Sequence, residues 1–437
     1  DDDLDGYIDE RSGGTDCDDT DPLIHPGARE IPDNGEDDDC DGITDEVCDP
    51  IPSYLIAKGL TYDTGDCAAV LAEDLDGDGT KEIIAAIKGD ELHVYEVDGT
   101  LRWQRDVPNT AAAKLVVTDL NSDGSKEIIV GGGESSGGGN LYVYYASGVR
   151  WWAKSDANDR LNKFDAGDIN RDGDKEVIYA TETGSSPNRR GLVIACENDG
   201  THMWTYTVVD GLDDWDDGNP FPAQYGSFTS CIAVGDITGD GRADVLIGSD
   251  YLNKTDNGGY LLMLDRRGDR VARKEYERDP NVLVIKDLNH DGKLEALIGG
   301  YEQMEVRVDN LTLVGNASDG SWGNIDYICG ADLDGDGIEE VVGTHQNSGG
   351  QVLAMTREGT FLWGTALSED IENIVGCDLD HDGMSEIIVG ENDRSGRIFI
   401  LDGGGSHFET IAVGDNVWSL FCTDLSNDCA MEILVGG

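Results

Sequence analysis

The sequence predicts an all-β protein, an eight-bladed β-propeller that follows a small, irregular, Asp- and Cys-rich module. A nine-residue acidic motif, clearest at Asp332–Glu340 (DLDGDGIEE), occurs eight times along the chain. Its copies start at steps of 45, 49, 68, 51, 45, 46 and 46 residues, a period typical of propellers and solenoids. Each copy lies between two apolar segments that are predicted as strands.

The motif has the residues that a calcium loop requires. Acids at positions 1, 3 and 5 can turn inward on a tight loop, and glycine at position 6 permits a sharp turn. The carbonyl at position 7 and an acid at position 9 complete a shell of oxygens. Such a shell suits Ca2+ better than Mg2+, which keeps its waters, or Zn2+, which prefers nitrogen and sulfur. The acid at 9, followed by a strand, distinguishes the motif from an EF-hand.

The predicted ligands are therefore the residues at positions 1, 3, 5, 7 (through the carbonyl) and 9 of each loop, which would hold about eight Ca2+ ions. Numbered in chain order, loops 1 to 8 contribute Asp74, Asp76, Asp78, Thr80, Glu82; Asp119, Asn121, Asp123, Ser125, Glu127; Asp168, Asn170, Asp172, Asp174, Glu176; Asp236, Thr238, Asp240, Arg242, Asp244; Asp287, Asn289, Asp291, Lys293, Glu295; Asp332, Asp334, Asp336, Ile338, Glu340; Asp378, Asp380, Asp382, Met384, Glu386; and Asp424, Ser426, Asp428, Ala430, Glu432. Loop 4 has neutral Thr238 at position 3, and loop 8 has Ser426 there and Cys429 in place of glycine, so their occupancy is open.

Each repeat is predicted to contain four strands. In the second repeat, Lys114–Leu120 leads into the loop, and Glu127–Val130, Leu141–Tyr145 and Val149–Ala153 follow it. Four short strands in about 45 residues form one propeller blade. The longest insertion, Val208–Thr229, precedes loop 4 and is a candidate binding loop.

The eighth repeat provides only two strands before Gly437, which would leave an unpaired edge. The sequence predicts that Ser53–Leu60, within the linker at residues 50–65, completes this blade. The alternative is a strand donated by a neighbouring molecule, which would produce a polymer. The propeller itself is predicted to span residues 66–437.

Residues 1–49 contain too few apolar side chains for a hydrophobic core. They include two further nine-residue loops and the acidic segment DCDDTDP, and we expect them to fold around two or three Ca2+ ions and a disulfide. The alternative is an acidic solvated tail. The candidate ligands are Asp1, Asp3, Asp5, Asp9, Asp16, Asp18, Asp21, Asp37, Asp39, Asp41 and Asp45.

Composition limits the partners and the compartment. The formal net charge of −59 argues against binding to nucleic acid or anionic lipid, and no run is long enough to span a membrane. The chain opens on DDDLDG without a signal peptide, which suggests a mature or truncated product. Ten cysteines without zinc-type spacing favour disulfides in an oxidising compartment, with Cys17–Cys40 and Cys422–Cys429 as the predicted pairs. Unpaired buried thiols are the alternative.

The repeats resemble FG-GAP/VCBS repeats, as in integrin α-subunit propellers and many microbial surface proteins. The resemblance spans about residues 66–437 and rests on DxDxDGxx[DE] followed by an apolar strand. It implies a β-propeller with calcium between the first two strands of each blade. The stretch DCDDTDPLIHPGAREIPDNGEDDDCDGITDE is similar to the metal-binding repeat of MopE-like bacterial and archaeal surface proteins, and this second resemblance covers only the N-terminal module.

The sequence contains no GxSxG, HExxH or P-loop motif. The Gly-Thr-x-x-Trp phrase is also similar to one in quinone-dependent dehydrogenase propellers, but packing between blades is the expected role of its tryptophans. These are Trp103, Trp151, Trp152, Trp204 and Trp363. The insertion acids Asp213, Asp214, Asp216 and Asp217, with Trp215 and Phe221, are one off-pattern cluster, expected to be a solvated loop.

We therefore expect a non-enzymatic extracellular or cell-surface protein, stabilised by calcium, that acts in adhesion or in assembly of a filament or surface layer. Its partners would be a second copy, a surface protein or a glycan. The alternative is a calcium-dependent polysaccharide-active enzyme, such as a lyase, or a carbohydrate-binding module. A lyase would need a basic groove, and the local basic clusters are Arg189, Arg190, Arg266, Arg267, Arg270 and Arg273.

Overall fold

The computed structural model describes Cys17, Ile24 and residues 66–437, except 111–113, 134–137, 157–159, 184–189, 209–226, 253–256, 279, 319–321, 346–348, 368–369, 392–395, 415 and 426–430. Within these residues the chain is an all-β propeller. No helix among them is long and apolar enough to cross a membrane. The predicted closing strand Ser53–Leu60, the N-terminal ligands and the insertion acids lie outside the described residues.

Seven sheets of four antiparallel strands form the blades, each in the order of the chain from the axis outward. The strands of blades 1 to 4 are β1 (Cys67–Glu73), β2 (Glu82–Ile87), β3 (Glu91–Tyr95), β4 (Leu101–Asp106); β5 (Lys114–Thr118), β6 (Glu127–Gly133), β7 (Gly139–Tyr144), β8 (Arg150–Asp156); β9 (Phe164–Gly167), β10 (Glu176–Thr183), β11 (Arg190–Cys196), β12 (His202–Thr207); and β13 (Ser227–Gly235), β14 (Asp244–Leu252), β15 (Asn257–Leu264), β16 (Arg270–Tyr276). Blades 3 and 4 join into one sheet through a single parallel bridge between the backbones of Arg190 and Ser227.

The strands of blades 5 to 7 are β17 (Pro280–Lys286), β18 (Glu295–Gly300), β19 (Gln303–Val308), β20 (Thr312–Ala317); β21 (Ile325–Ala331), β22 (Glu340–His345), β23 (Gln351–Met355), β24 (Phe361–Ala366); and β25 (Ile371–Cys377), β26 (Glu386–Glu391), β27 (Arg397–Leu401), β28 (His407–Ala412). A two-stranded sheet, β29 (Ser419–Thr423) and β30 (Glu432–Gly436), follows blade 7.

The prediction of eight blades is therefore corrected to seven. The eighth copy of the motif lies between β29 and β30, which pair only with each other among the described strands. The first strands of successive sheets nevertheless lie side by side around the ring, and β29 lies between β25 and β1. The Cys67 N–H donates to the Gly437 carbonyl at 2.6 Å, and the Val70 N–H donates to Ser419 Oγ at 3.1 Å.

The apolar strand that follows the loop is buried on both faces in blades 1, 2, 5, 6 and 7, whereas β30, after loop 8, is mostly half-buried. Every residue of β2 (EIIAAI), β18 and β26 is buried, because neighbouring blades cover both sides of the sheet. The fourth strands are more exposed; β24 alternates between exposed and half-buried residues. The core consequently lies between blades in a series of apolar clusters, each drawing on two neighbouring sheets.

Four tryptophans on fourth strands join consecutive blades, which confirms their predicted packing role. Each indole N–H donates to a backbone carbonyl in the turn between the third and fourth strands of the next blade: Trp103 to Ala146 (2.9 Å), Trp152 to Asn198 (2.6 Å), Trp204 to Arg266 (3.0 Å) and Trp363 to Gly403 (2.9 Å). A left-handed glycine of that turn lies under the ring; a Cβ on Gly148 would come within 2.7 Å of Trp103. The fifth, Trp151, stacks on Tyr145 of its own blade at 4.9 Å.

Blades 4 and 5 replace this contact with different residues. Ala272 stands in blade 4 where blades 1, 2, 3 and 6 have tryptophan, and Leu311 of the next turn, with φ of 63°, belongs to the same apolar cluster. In blade 5 the corresponding residue is Gly315, and a Cβ there would lie 2.3 Å from the Arg357 carbonyl oxygen. The backbones thus touch directly, and a cavity of about 400 Å³ opens nearby, lined by Trp322, Phe361 and polar neighbours.

The cysteines pair differently from the prediction. Cys422 on β29 forms a disulfide with Cys377 on β25, not with Cys429. The reason is the ring, which places the first strands of consecutive repeats side by side. Cys17 is disulfide-bonded, and Cys40 lies outside the described residues. Cys67, Cys196, Cys231 and Cys329 are unpaired thiols, as the alternative prediction expected.

Candidate metal centres

Loops 1 to 7 lie on one face of the propeller. In each blade the loop connects the first strand to the second, and its ninth residue opens the second strand, as Glu82 opens β2. Since strands alternate in direction, the turn between the third and fourth strands reaches the same face. Residues of that turn, and of the fourth strand that follows, can therefore contact the loop.

A repeated set of hydrogen bonds gives each loop its shape. The first aspartate accepts the N–H of position 6, as Asp332 Oδ2 does from Gly337 at 2.9 Å. The fifth accepts the N–H of position 7, as Asp336 Oδ1 does from Ile338 at 2.8 Å. The ninth carboxylate accepts the N–H of position 2, as Glu340 Oε2 does from Leu333 at 3.0 Å. These bonds turn the chain around a common centre.

The same bonds recur in the other loops. The bond from position 2 to the ninth glutamate is 2.8–3.0 Å long at Glu82, Glu127, Glu176, Glu295, Glu386 and Glu432. In loop 8 only Asp424 and Glu432 of the predicted ligands are described. Loop 4 differs because Asp244 is shorter by one methylene: its Oδ2 accepts from the N–H and the hydroxyl of Thr238 instead.

Position 4 is left-handed in loops 1 to 7, which the sequence analysis missed. Gly77, Gly239 and Gly335 occupy it in three loops, whereas Ser122, Arg171, His290 and His381 adopt φ of 52–65° in the others. Only the glycine at position 6 was expected to take this conformation. The residue type at position 4 gave no signal, because non-glycine residues tolerate a single left-handed position at modest cost.

Four groups of acids, all of them predicted ligands except Glu197, place one oxygen each within 4.8 Å of one another. They are Asp74, Asp76 and Asp78; Asp172, Glu176 and Glu197; Asp332, Asp334 and Asp336; and Asp378, Asp380 and Glu386. Carboxylates at this distance repel one another unless a cation lies between them. Ligand oxygens from both ends of the loop would then hold the first and second strands together.

Buried oxygens without hydrogen-bond partners show that the residues fit a cation. Glu127 is fully buried, and its Oε1 has no partner although Oε2 is bonded to Leu120 N–H. The Oδ1 atoms of Asn170 and Asn289, at position 3 of their loops, are likewise buried without a partner. A buried oxygen without a partner costs roughly 1–3 kcal/mol, and a coordinated ion would remove that cost.

Burial raises the pKa of the ninth-position carboxyl group in loops 1 to 4, 6 and 7, and the neighbouring loop carboxylates raise it further. The pKa rises to about 7 for Glu127, Glu340 and Glu386, to about 8 for Glu176 and to about 6 for Asp244. Without an ion these groups are thus proton carriers near neutral pH. A divalent cation would favour their ionised form instead.

Loops 2, 3, 4, 6 and 7 are also bonded to the loop of the preceding blade. The N–H at position 8 donates to a carbonyl at position 1 or 2 of that loop: Lys126 to Leu75, Lys175 to Leu120, Ala243 to Asp168, Glu339 to Leu288 and Ser385 to Asp332, at 2.6–2.9 Å. Side chains at position 8 reinforce this contact. Lys81 Nζ lies 2.6 Å from Thr423 Oγ1, and Glu339 forms an ion pair with Lys286 at 2.6 Å.

Three charged residues outside the motif reach predicted ligands of the loops and were not predicted. Arg102 on β4 contacts Glu82 of loop 1 at 2.6 Å and also Asp76. Arg357, from blade 6, contacts Glu295 of loop 5 at 2.6 Å. Glu197, in the turn after β11, joins the loop 3 cluster. All three lie in or beside the turn before a fourth strand, about 20 residues or more after the loop that they contact. This turn recurs once in each repeat, and its recurrence was the signal in the sequence that could have identified these residues.

Comparisons with known proteins agree with this geometry. Residues 228–262 match the family model for the FG-GAP repeat. The protein is a β-propeller with a segment similar to the FG-GAP repeat. The FG-GAP match covers most of β13 to β15 and includes loop 4, the loop that departs from the motif at Thr238. Residues 16–46 match the family model Cu-binding_MopE, a metal-binding motif. Both resemblances predicted from the sequence are thereby confirmed.

Solved structures support the fold of this propeller. Sqt1 of Saccharomyces cerevisiae is 7% identical, with a TM-score of 0.55 over 86% of this chain and 96% of that chain. The Dos1 propeller is 13% identical, with a TM-score of 0.54 over 86% and 90%. The quinohemoprotein alcohol dehydrogenase ADHIIG of Pseudomonas putida HK5 is 12% identical, with a TM-score of 0.55 over 84% and 71%. At such low identity they show the fold alone. The comparison with curated proteins finds no significant match.

Proposed function

We propose that this protein is a non-enzymatic, extracellular, calcium-stabilised propeller that acts in adhesion or in assembly of a filament or surface layer. The observation that carries the proposal is the ring of acidic loops, whose buried ninth carboxylates leave oxygens such as Glu127 Oε1 without partners. All-oxygen ligand sets of this charge suit Ca2+, and loops of this affinity range fill best outside the cytosol. The Cys377–Cys422 disulfide also fits an oxidising compartment.

Calcium would act here as a structural clamp. It would connect position 1, at the end of a first strand, to position 9, at the start of the second strand. Because the N–H at position 8 is bonded to the preceding loop, an ion in one loop also steadies the joint between two blades. With ions bound, the net charge of −59 would be reduced, and the remaining charge would keep the surface solvated.

The experiment that tests this proposal measures particle size by light scattering and electron microscopy, in millimolar Ca2+ and again after chelation with EGTA. Long assemblies that dissolve without Ca2+ would support a filament or surface-layer subunit. A monomer that stays folded only with Ca2+ would support the clamp and direct the search to an adhesion ligand. An unchanged melting temperature in excess EGTA would contradict the proposal. Mg2+ at equal ionic strength is the control for screening.

We propose calcium for the N-terminal module as well. Its candidate ligands are aspartates, whose hard oxygens prefer Ca2+, whereas copper prefers imidazole or sulfur. The name of the matching family model mentions copper, so the two metals must be compared directly. Mass spectrometry of the metals retained after dialysis against equal Ca2+ and Cu2+ separates them. Retention of one copper ion per chain in place of Ca2+ would overturn this assignment.

The polysaccharide lyase stays an alternative with less support. Of the basic cluster, Arg266, Arg267 and Arg270 are exposed at the start of the outer strand β16, and Arg273 lies over the Tyr260 ring at 4.6 Å. An outer strand lies at the exposed edge of the propeller, whereas a binding site for an anionic sugar requires a groove. Incubation with pectic and other uronic-acid polymers, followed by ultraviolet absorbance, tests the alternative. Unsaturated products would establish a lyase and remove the non-enzymatic proposal.

A further inference from the structure

The acidic loops of blades 1 and 3 each face a turn of the same backbone geometry, but the side chains that reach them from outside the motif have opposite charges. In both blades a glutamate begins the turn before the fourth strand, and the turn closes with the same two backbone bonds. Glu96 N–H donates to Thr100 and its carbonyl accepts from Gly99, both at 2.9 Å; Glu197 makes the corresponding bonds at 2.8 Å. Glu96 and Glu197 are thus structurally equivalent, and each turn faces the acidic loop of its own blade.

In blade 1 a guanidinium group occupies the space between turn and loop. Arg102 lies 2.6 Å from Glu82 and 3.7 Å from Glu96, and it also contacts Asp76. Glu82 is the ninth residue of loop 1 and Asp76 the third, so the arginine neutralises two predicted ligands. A divalent cation entering loop 1 must compete with this built-in cation.

In blade 3 the residue corresponding to Arg102 is Met203, which brings no charge. Glu197 therefore lies next to the loop without a counter-ion of this kind, with one oxygen within 4.8 Å of Asp172 and Glu176. Among the described residues, no basic side chain forms an ion pair with Glu197. The nearby Lys154 Nζ donates to the Gly200 carbonyl at 2.6 Å, and Lys175 Nζ to Thr118 Oγ1 at 2.5 Å.

A second observation in loop 3 also indicates a cation. Asn170 Oδ1, at position 3, is buried without a hydrogen-bond partner. The amide nitrogen of Asn170 instead donates to Asp172 at 3.0 Å and to Glu176 at 2.8 Å. The amide N–H groups thus stand where a cation would lie between these carboxylates. Rotation of the amide by half a turn would present the oxygen to an ion.

We propose that Glu197 is an additional ligand of a divalent cation in loop 3, and that Arg102 takes the place of part of that charge in loop 1. Loop 3 then retains its ion at lower free Ca2+ than loop 1 does. Affinity of oxygen sites rises with the number of ligand charges, by orders of magnitude across known sites. The inference rests on the loops binding Ca2+, which is part of the proposed function, but it assigns residues outside the repeated motif.

The test counts bound ions by native mass spectrometry of the full chain while a chelator lowers free Ca2+. We expect Glu197→Gln to lose one ion at about tenfold higher free Ca2+ than the wild type, since one ligand charge is removed. The matched control, Glu96→Gln, removes the equivalent glutamate from blade 1 and should leave the curve unchanged. Near-ultraviolet circular dichroism in excess Ca2+ verifies that both variants are folded.

Arg102→Met provides an independent arm that does not depend on the folding of the Glu197 variant. It should move one ion to at least tenfold lower free Ca2+, and adding Glu96→Gln to it should reverse part of that gain. Equal curves for Glu197→Gln and Glu96→Gln, or no change in Arg102→Met, would overturn the inference. A wild type that binds no ion in millimolar Ca2+ would instead overturn the proposed function as well, so the two failures are distinguishable.

Discussion

The tryptophan joint between blades 1 and 2 allows a quantitative prediction. Trp103 is 8% exposed, and its indole N–H donates to the Ala146 carbonyl at 2.9 Å. Trp103→Phe removes this bond, which costs about 1 kcal/mol, and leaves the carbonyl without its partner. The smaller ring gives up apolar contact worth about another 1–2 kcal/mol. We expect a total loss of about 2–3 kcal/mol in the free energy of unfolding.

Urea titration followed by far-ultraviolet circular dichroism in excess Ca2+ measures this loss. The matched control is Trp151→Phe, because Trp151 stacks on Tyr145 within its own blade and does not join two blades. We expect the control to cost about 1 kcal/mol or less. Equal losses in the two variants would refute the argument that the joint carries the stability.

A double-mutant cycle sharpens the test. Gly148 lies under the Trp103 ring at φ of 74°, and a Cβ there would come within 2.7 Å of the ring. Gly148→Ala should therefore cost about 1–3 kcal/mol through strain and overpacking. In a Trp103→Ala background the overpacking disappears, so the two changes should cost less together than separately. Strict additivity would show that ring and glycine do not interact.

Three further predictions follow from charges and cross-links. Burial raises the pKa of the Glu127 carboxyl group to about 7. The stability that this protonated group contributes to the fold is therefore complete below the pKa it has in the unfolded chain, and it is lost as the pH rises through about 7. The melting temperature of the ion-free protein, measured by differential scanning fluorimetry, should accordingly be higher at pH 5 than at pH 8. Excess Ca2+ should remove this difference. A higher melting temperature at pH 8 without ions would contradict the prediction. The ion pair between Lys286 and Glu339 is partly exposed, so Lys286→Glu or Glu339→Lys alone should each lower the free energy of unfolding by up to about 1 kcal/mol in chemical denaturation. The double variant exchanges the two charges and should restore the stability. A double variant that is not restored would contradict the ion pair. Replacing Cys377 and Cys422 together by serine should accelerate limited proteolysis between β29 and β30, and digestion at the wild-type rate would show that the disulfide does not hold this sheet.

The loops could be predicted from the sequence because their geometry is local. Nine residues contain the ligands, the turn glycine and the first residue of the next strand, and the hydrogen bond from position 6 to position 1 forms in all of loops 1 to 7. Fold class followed from the period for the same reason, since one repeat is one blade. The count of blades did not follow, because a copy of the loop needs only two strands, and β29 and β30 supply no more.

What could not be predicted depends on contacts between distant parts of the chain. Arg102 and Glu197 reach their loops across a whole blade, and nothing in the nine-residue motif encodes them. The predicted Cys422–Cys429 pair considered only proximity in sequence. The true partner, Cys377, is 45 residues away, one repeat earlier, where the ring brings equivalent strands together. A search for cysteines at equivalent positions of neighbouring repeats would have indicated this pair.

The joints between blades have a consequence for how such a ring can evolve. A large ring residue on one blade meets a glycine on the next, as Trp363 meets Gly405, whereas Ala272 shares a cluster with Leu311 and Gly315 meets Gly359. Blades 1, 2, 3 and 6 thus share one kind of joint, whereas blade 4 is fitted to blade 5 alone. A tryptophan blade in place of blade 4 would bring two large residues together at Leu311, and blade 4 followed by a glycine turn would bring two small ones together. Change at the joint between blades 4 and 5 must therefore proceed by compensating pairs of residues.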